Sequence, residues 1–216
     1  MKVQDAIYQR KSTRRFTKSE IEGNIIEEII AAGTQAPSPK NDQPWKFLVI
    51  KSIEKKKKIA DILENQLNRI KSKFIRQGKY REDIIGAFET VRIIKEAPTL
   101  IFVYLDFQKC KGHDDGVRWE LNAKDIECTH IMAIGAAIQN MLLIATEKGI
   151  NSLWMADIFY AYNELQAYLG EEGCMMAAIA LGYGMDIGEK VSRRGLKEVI
   201  TVSYTHLRAH ETRRHV

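Results

Sequence analysis

The sequence predicts a single domain in which helices and strands enclose a common core. Three observations carry this. Ile21, Ile25, Ile26, Ile29 and Ile30 recur at helical spacing. Thr99-Leu100-Ile101-Phe102-Val103-Tyr104-Leu105 is a continuous apolar run of strand length, as expected of a central strand covered on both faces. Residues 126–148 are apolar around much more than one helical stripe, which predicts a helix buried on most sides or set in a subunit interface. At 216 residues with 45% hydrophobic content, the chain can build one core of ordinary size.

The elements follow in order. Val3 to Gln9 reads as a short helix with Val3, Ala6 and Ile7 on one side. Thr17 or Ser19 can cap the isoleucine helix, and Gly33 is expected to end it. Pro37, Pro39 and Pro44 make residues 34–44 a loop. Trp45 to Ile50 is a strand. Lys55-Lys56-Lys57-Lys58 opens a helix reaching about Gln77, and its lysines read as a solvated face. Gly78 to Arg81 breaks the pattern, Glu82 to Glu96 resumes it, and Pro98 ends it. Asp106 to Lys124 reads as a polar surface loop. After the apolar helix, Gly149 is the cap and Ser152 to Met155 a short strand. Tyr160 to Leu169 is a helix stopped by Gly170. Cys174 to Leu181 is the last core strand, turned by Gly182-Tyr183-Gly184.

Composition excludes several classes. No run reaches the roughly 18 uninterrupted apolar residues of a membrane span, and the N-terminus shows no signal peptide, so the expectation is a cytoplasmic protein without membrane contact. Cys110, Cys128 and Cys174 are odd in number and far apart, which suits a reducing compartment. A net charge of +5 is too mild to argue for nucleic acid. Residues 203–216 look unlike the rest. They hold three arginines, one glutamate and three of the five histidines, and the string resembles translated adapter or vector sequence more than a native basic tail. The expected division is a domain over 1–202 and a non-native or disordered tail over 203–216. Its histidines are not read as metal ligands, and no metal site is expected.

Nothing here has the pattern of an acid–base or nucleophilic catalyst. Gly-x-Ser-x-Gly, His-Glu-x-x-His and Gly-x-x-x-x-Gly-Lys are absent from the sequence, and His113 and His130 are isolated and read as structural. What recurs is cations. Arg10, Ser12 and Arg14 alternate within Gln9 to Phe16; in an extended segment they face one way, as a phosphate requires. Taken alone, the same stretch also reads as a solvated basic linker. Lys190, Arg193, Arg194 and Lys197 form a second basic group. Cations at both ends and an apolar middle suit a protein whose bound cofactor carries the reactivity.

Four segments together resemble the nitroreductase family of FMN enzymes. Arg10-Lys11-Ser12-Thr13-Arg14-Arg15-Phe16 is similar to the family's arginine-serine-arginine opening. Ala36-Pro37-Ser38-Pro39-Lys40-Asn41-Asp42-Gln43-Pro44-Trp45 resembles its Ala-Pro-Ser-x-x-Asn-x-Gln-Pro-Trp loop, with Pro39 and Lys40 where small residues are common. Gly135 to Leu143, followed by Gly149 to Trp154, resembles its dimer helix and next strand. Ala178 to Gly184, with Arg193 and Arg194 beyond, resembles its closing Gly-Tyr turn and phosphate arginine.

The resemblance implies an α+β fold: a mixed, mainly antiparallel central sheet wrapped by helices, in an intertwined homodimer with FMN at the interface. It implies that Arg10, Ser12 and Arg14, with Arg193 or Arg194, hold the phosphate and ribityl chain. Pro37, Ser38 and Asn41 would reach the flavin from the partner, and Met155, Ala156 and Asp157 would pass its edge. The implied activity moves electrons from NADH or NADPH through FMN to a small electron-poor acceptor such as a nitroaromatic or quinone, with no catalytic side chain. The alternatives are a reduced-flavin dehalogenase-like or flavin-cleaving relative with a lid from residues 70–96 or 106–124, or a flavin-binding module without turnover.

Overall fold

In the computed structural model, the described residues are 1–76, 82–109, 123–185 and 192–202. The chain divides into two units, Met1–Asp186 and Ile187–Val216. In the first, the described helices are α1 (Val3–Gln9), α2 (Gly23–Thr34), α3 (Ile53–Arg76), α4 (Glu82–Glu96), α5 (Ala123–Glu147) and α6 (Tyr162–Leu169). The strands are β1 (Trp45–Ile50), β2 (Thr99–Leu105), β3 (Asn151–Met155) and β4 (Cys174–Gly182). In the second unit, α7 (Leu196–Val199) is a single turn whose Glu198 carboxylate accepts the Gly195 N–H at 2.9 Å.

The sheet order is β1-β2-β4-β3, and every neighbouring pair is antiparallel. A parallel pairing occurs among the described residues at the isolated bridge of Ser12 beside Ser152, outside the four-stranded antiparallel ladder. β2 is buried along its whole length, as a doubly covered strand should be. Leu100, Phe102 and Tyr104 enter a core made with α3, α4 and α6. Ile101, Val103 and Leu105 enter a second core against α2 and α5. The period-two alternation of a strand thus feeds two cores. β4 does the same, with its register shifted opposite Val103 and Tyr104. The pairing passes over Met176 there, so Met175 and Ala178 share one face.

Two glycines do other work than expected. Gly33 lies inside α2 rather than ending it; a Cβ there would stand 2.8 Å from Met141 Cγ, so its smallness lets α2 approach α5. Gly182 belongs to β4 rather than to the turn; a Cβ would meet Pro98 Cδ at 2.7 Å and Phe16 Cδ1 at 2.8 Å. Gly149 and Gly170 do end α5 and α6, with φ of 72° and 66° in the left-handed region.

The lysine run also departs from the expected solvated face. Lys56 is 5% exposed, and its Nζ donates to the carbonyls of Ala97 (2.6 Å) and Pro98 (3.2 Å), just past the end of α4. Burial lowers its pKa. Lys55, Lys57 and Lys58 are exposed. Residues 128–147 of α5 are long and apolar enough to cross a membrane by length and composition. Here Ile134, Ile138, Met141, Leu142 and Ala145 of that stretch form much of the second core.

Candidate functional site

The basic stretch is extended and zipped to the sheet. Arg10 closes α1, its N–H donating to Ala6 at 2.9 Å. The Thr13 N–H then donates to the Ser152 carbonyl at 3.0 Å, so the stretch begins as a short parallel extension of β3. Phe16 pairs with Gly184, the Thr17 N–H reaches the Tyr183 carbonyl (2.8 Å), and the Met185 N–H reaches Arg15 (3.0 Å). Asn151 Oδ1 accepts the Gly184 N–H at 2.8 Å and fixes that turn. Exposure alternates from Ser12 to Arg14, as in extended backbone, and the alternation breaks at exposed Arg15 and buried Phe16. Thr13 is 1% exposed, whereas Ser12 and Arg14 on either side of it are exposed. Buried Phe16 anchors the end against the first core.

A residue that sequence reasoning missed supports this stretch from α4. Arg92 Nη2 donates to the Arg14 carbonyl at 3.2 Å while its guanidinium is held by Glu89 and Glu96, at 2.8 and 2.5 Å. The Glu89 hydrogen bond, chiefly, raises the pKa of Arg92. No motif could reveal this, because the acceptor is a backbone carbonyl of a distant segment.

The loop before β1 is internally hydrogen-bonded and partly strained. Lys40, Asn41 and Gln43 have φ of 51°, 56° and 49°, which costs a non-glycine residue on the order of 1 kcal/mol each. Pro39 opens a turn over Pro39–Asn41. The Asn41 N–H donates to the Ser38 carbonyl (3.1 Å), the Asp42 N–H to that of Pro39 (2.9 Å), and the Gln43 N–H to Ser38 Oγ (3.0 Å). Pro37 and Asn41 are exposed, and Ser38 is half-buried. Lys40, the departure from the small-residue pattern, occupies a backbone region that glycine would enter more easily.

Past β3, the three predicted positions differ. The Met155 side chain lies in the first core, so any contact with a ligand falls to its backbone. Ala156 is exposed. Asp157 Oδ2 accepts a hydrogen bond from Thr90 Oγ1 at 2.5 Å, which ties the end of β3 to α4. Trp154 is 43% exposed, and a Cβ on Gly135 of α5 would lie 3.9 Å from its ring. Arg193 and Arg194 precede α7 in the second unit. His113, Cys110 and parts of both lid candidates (77–81 and 110–122) lie outside the described residues, as does the 203–216 segment. Among the described residues, no cluster of metal-ligating side chains occurs.

With this arrangement in view, comparison with known proteins is decisive. Residues 7–183 match the Nitroreductase family. The chain belongs to the nitroreductase family. A protein from Archaeoglobus fulgidus, provisionally named NADH dehydrogenase/NAD(P)H nitroreductase, is 27% identical over 186 residues, covering 83% of this chain and 84% of its own. Among solved structures, a BluB-like flavoprotein from Clostridium difficile 630 superposes with a TM-score of 0.75 at 29% identity, over 94% of this chain and all of that one (100%). A protein from Desulfovibrio desulfuricans, provisionally named a nitroreductase and solved in complex with FMN, gives 0.68 at 28% identity, over 95% and 99%. The fold is therefore the α+β nitroreductase fold that the motifs implied. In this nitroreductase-family chain, the matched span contains both the basic stretch and the 36–44 loop.

Proposed function

We propose that this protein is an FMN-dependent oxidoreductase that takes electrons from NADH or NADPH and passes them to a small electron-poor acceptor, such as a nitroaromatic or quinone. The observation that carries the reading is the extended basic stretch, with Ser12 and Arg14 exposed on either side of buried Thr13. Its donors fit a phosphate monoester, which needs concentrated positive charge and several hydrogen-bond donors. A merely solvated linker would not need backbone bonds to Ser152 and Tyr183 or a strut from Arg92.

Arg10, Ser12 and Arg14 bind the phosphate end. Pro37, Ser38 and Asn41 contact the flavin from the partner of a homodimer, and the backbone of Met155, Ala156 and Asp157 borders its ring. When bound, FMN supplies hydride acceptance at its N5 and electron delivery to the acceptor. The chain supplies position. The sheet edge fixes the basic stretch, the internally hydrogen-bonded 36–44 loop borders the ring, and Thr90 ties the Asp157 carboxylate to α4. No side chain here need move a proton. The exposed Ile131, Met132 and Trp154, with half-buried Gly135 and Ala136, form the face of α5 and β3 that a second copy would cover.

Anaerobic addition of NADH or NADPH to FMN-loaded protein tests the reading. The expected result is bleaching of the yellow colour, then its return on adding a quinone or nitroaromatic. A protein that takes up no FMN, or whose bound FMN neither nucleotide bleaches, would overturn it.

A further inference from the structure

Asp42 occupies the variable position of the Asn-x-Gln-Pro-Trp loop, where neither spacing nor chemistry marked it as important. In the structure its carboxylate is fully buried. Its Oδ2 lies 3.1 Å from Nε2 of His130, on α5, whose side chain is 2% exposed. The pair is within hydrogen-bond distance, the imidazole N–H donating and the carboxylate oxygen accepting in the tautomer that carries its proton on Nε2. The two residues are 88 positions apart. The loop's burial pattern points the same way. Ala36, Asp42 and Pro44 face inward, whereas Pro37, Asn41 and Gln43 are exposed. Asp42 is the only inward polar group of this set, and it stands between Asn41 and Gln43, both left-handed. A buried apolar side chain would pack there without needing a partner, but it would leave the loop free to slide. A directional hydrogen bond fixes where the turn sits on α5.

We infer that Asp42 and His130 form a buried latch that positions the 36–44 loop for binding the flavin. They are positioning residues; neither touches the reacting atoms. The latch holds the turn that carries left-handed Lys40, Asn41 and Gln43 against relaxation, and so keeps Ser38 and Asn41 at one height above α5. It also links the loop to the helix whose exposed face would meet a second copy, so loop geometry and dimer packing share one anchor. The flavin part of this inference rests on the proposed function; the latch itself does not.

The full-length protein is compared with His130→Leu, His130→Gln and Asp42→Asn. His130→Gln keeps a side-chain N–H donor near Asp42. Two readouts are taken: amide hydrogen exchange of the FMN-free protein, and the FMN dissociation constant. His130→Leu is expected to speed exchange at Asn41, Asp42 and Gln43 by about tenfold or more, with the β2 and β4 amides unchanged. FMN should bind it about tenfold more weakly or worse, and His130→Gln should recover most of both effects. Asp42→Asn, which retains an acceptor of lower charge, should fall between. Exchange that rises equally in β2 and β4 would make the pair general stabilisation and overturn the latch, as would unchanged loop exchange. A loosened loop with unaltered FMN affinity would overturn its positioning role. If even the unaltered protein binds no FMN, the proposed function and the flavin half of this inference fail together, while the exchange data still decide the latch.

Discussion

Two basic runs in this chain have similar composition and opposite fates. Lys55 to Lys58 lies in α3, where successive side chains fan out at 100° intervals. One of the four, Lys56, turns inward and ties α3 to the carbonyls that follow α4, while its neighbours stay in water. Arg10 to Arg15 is extended along the end of the sheet, where alternation puts Ser12 and Arg14 on the side away from buried Thr13. The comparison teaches that backbone period, more than charge count, decides what a cation run can do. A helix turns one cation inward as a strut, whereas the extended stretch leaves Ser12, Arg14 and Arg15 exposed around buried Thr13 and Phe16.

The comparison can be broken most strongly at the extended run. On the proposed reading, replacing Arg10 and Arg14 together by alanine would remove at least two charge-assisted hydrogen bonds to a phosphate. The expected loss of FMN affinity is about 3 kcal/mol or more by equilibrium titration, with the unfolding midpoint nearly unmoved. The helical run should behave the other way. Lys56→Met should cost about 1.5–3 kcal/mol of stability in urea unfolding, since two carbonyls lose their donor, and should leave FMN affinity unchanged. Alanine at Lys55, Lys57 or Lys58 should stay within about 0.5 kcal/mol of the parent.

A smaller, signed effect comes with pH. Burial holds the Lys56 pKa below its ordinary value, so in the window between that lowered value and about 10.5 the unfolded chain binds more protons. Its contribution to stability therefore rises as pH rises through that window. Tyr104 acts oppositely: burial raises its pKa to about 12, so its contribution is lost as pH climbs above about 10. The difference between the parent and Lys56→Met, followed by urea unfolding from about pH 8 to pH 10, isolates the lysine. The parent should gain on the variant as pH rises; a constant difference would mean that Lys56 is not held below its ordinary range.

Much of this fold was readable because hydrophobic period is a local signal. The isoleucines of α2, the solid apolar run of β2 and the apolar girth of α5 each declare their element within one window of sequence. The candidate binding residues were readable for a different reason: they cluster in short motifs. What stayed hidden is long-range. Lys56 reaches Ala97, Arg92 reaches Arg14, Thr90 reaches Asp157 and His130 reaches Asp42, and none of these pairs leaves a trace in local spacing. Gly33 and Gly182 were misread as punctuation because a glycine that ends a helix and one that admits a neighbouring side chain look alike in sequence.

The central claim is that the extended basic stretch holds a phosphate, and a comparison of FMN with riboflavin tests it most directly. The two ligands share the ring and ribityl chain and differ only in the phosphate. The parent protein is predicted to bind FMN at least about 100-fold more tightly than riboflavin, and the Arg10/Arg14 double alanine variant to lose most of that preference. Equal affinity of the parent for both ligands, or a preference that survives the double substitution, would contradict the account.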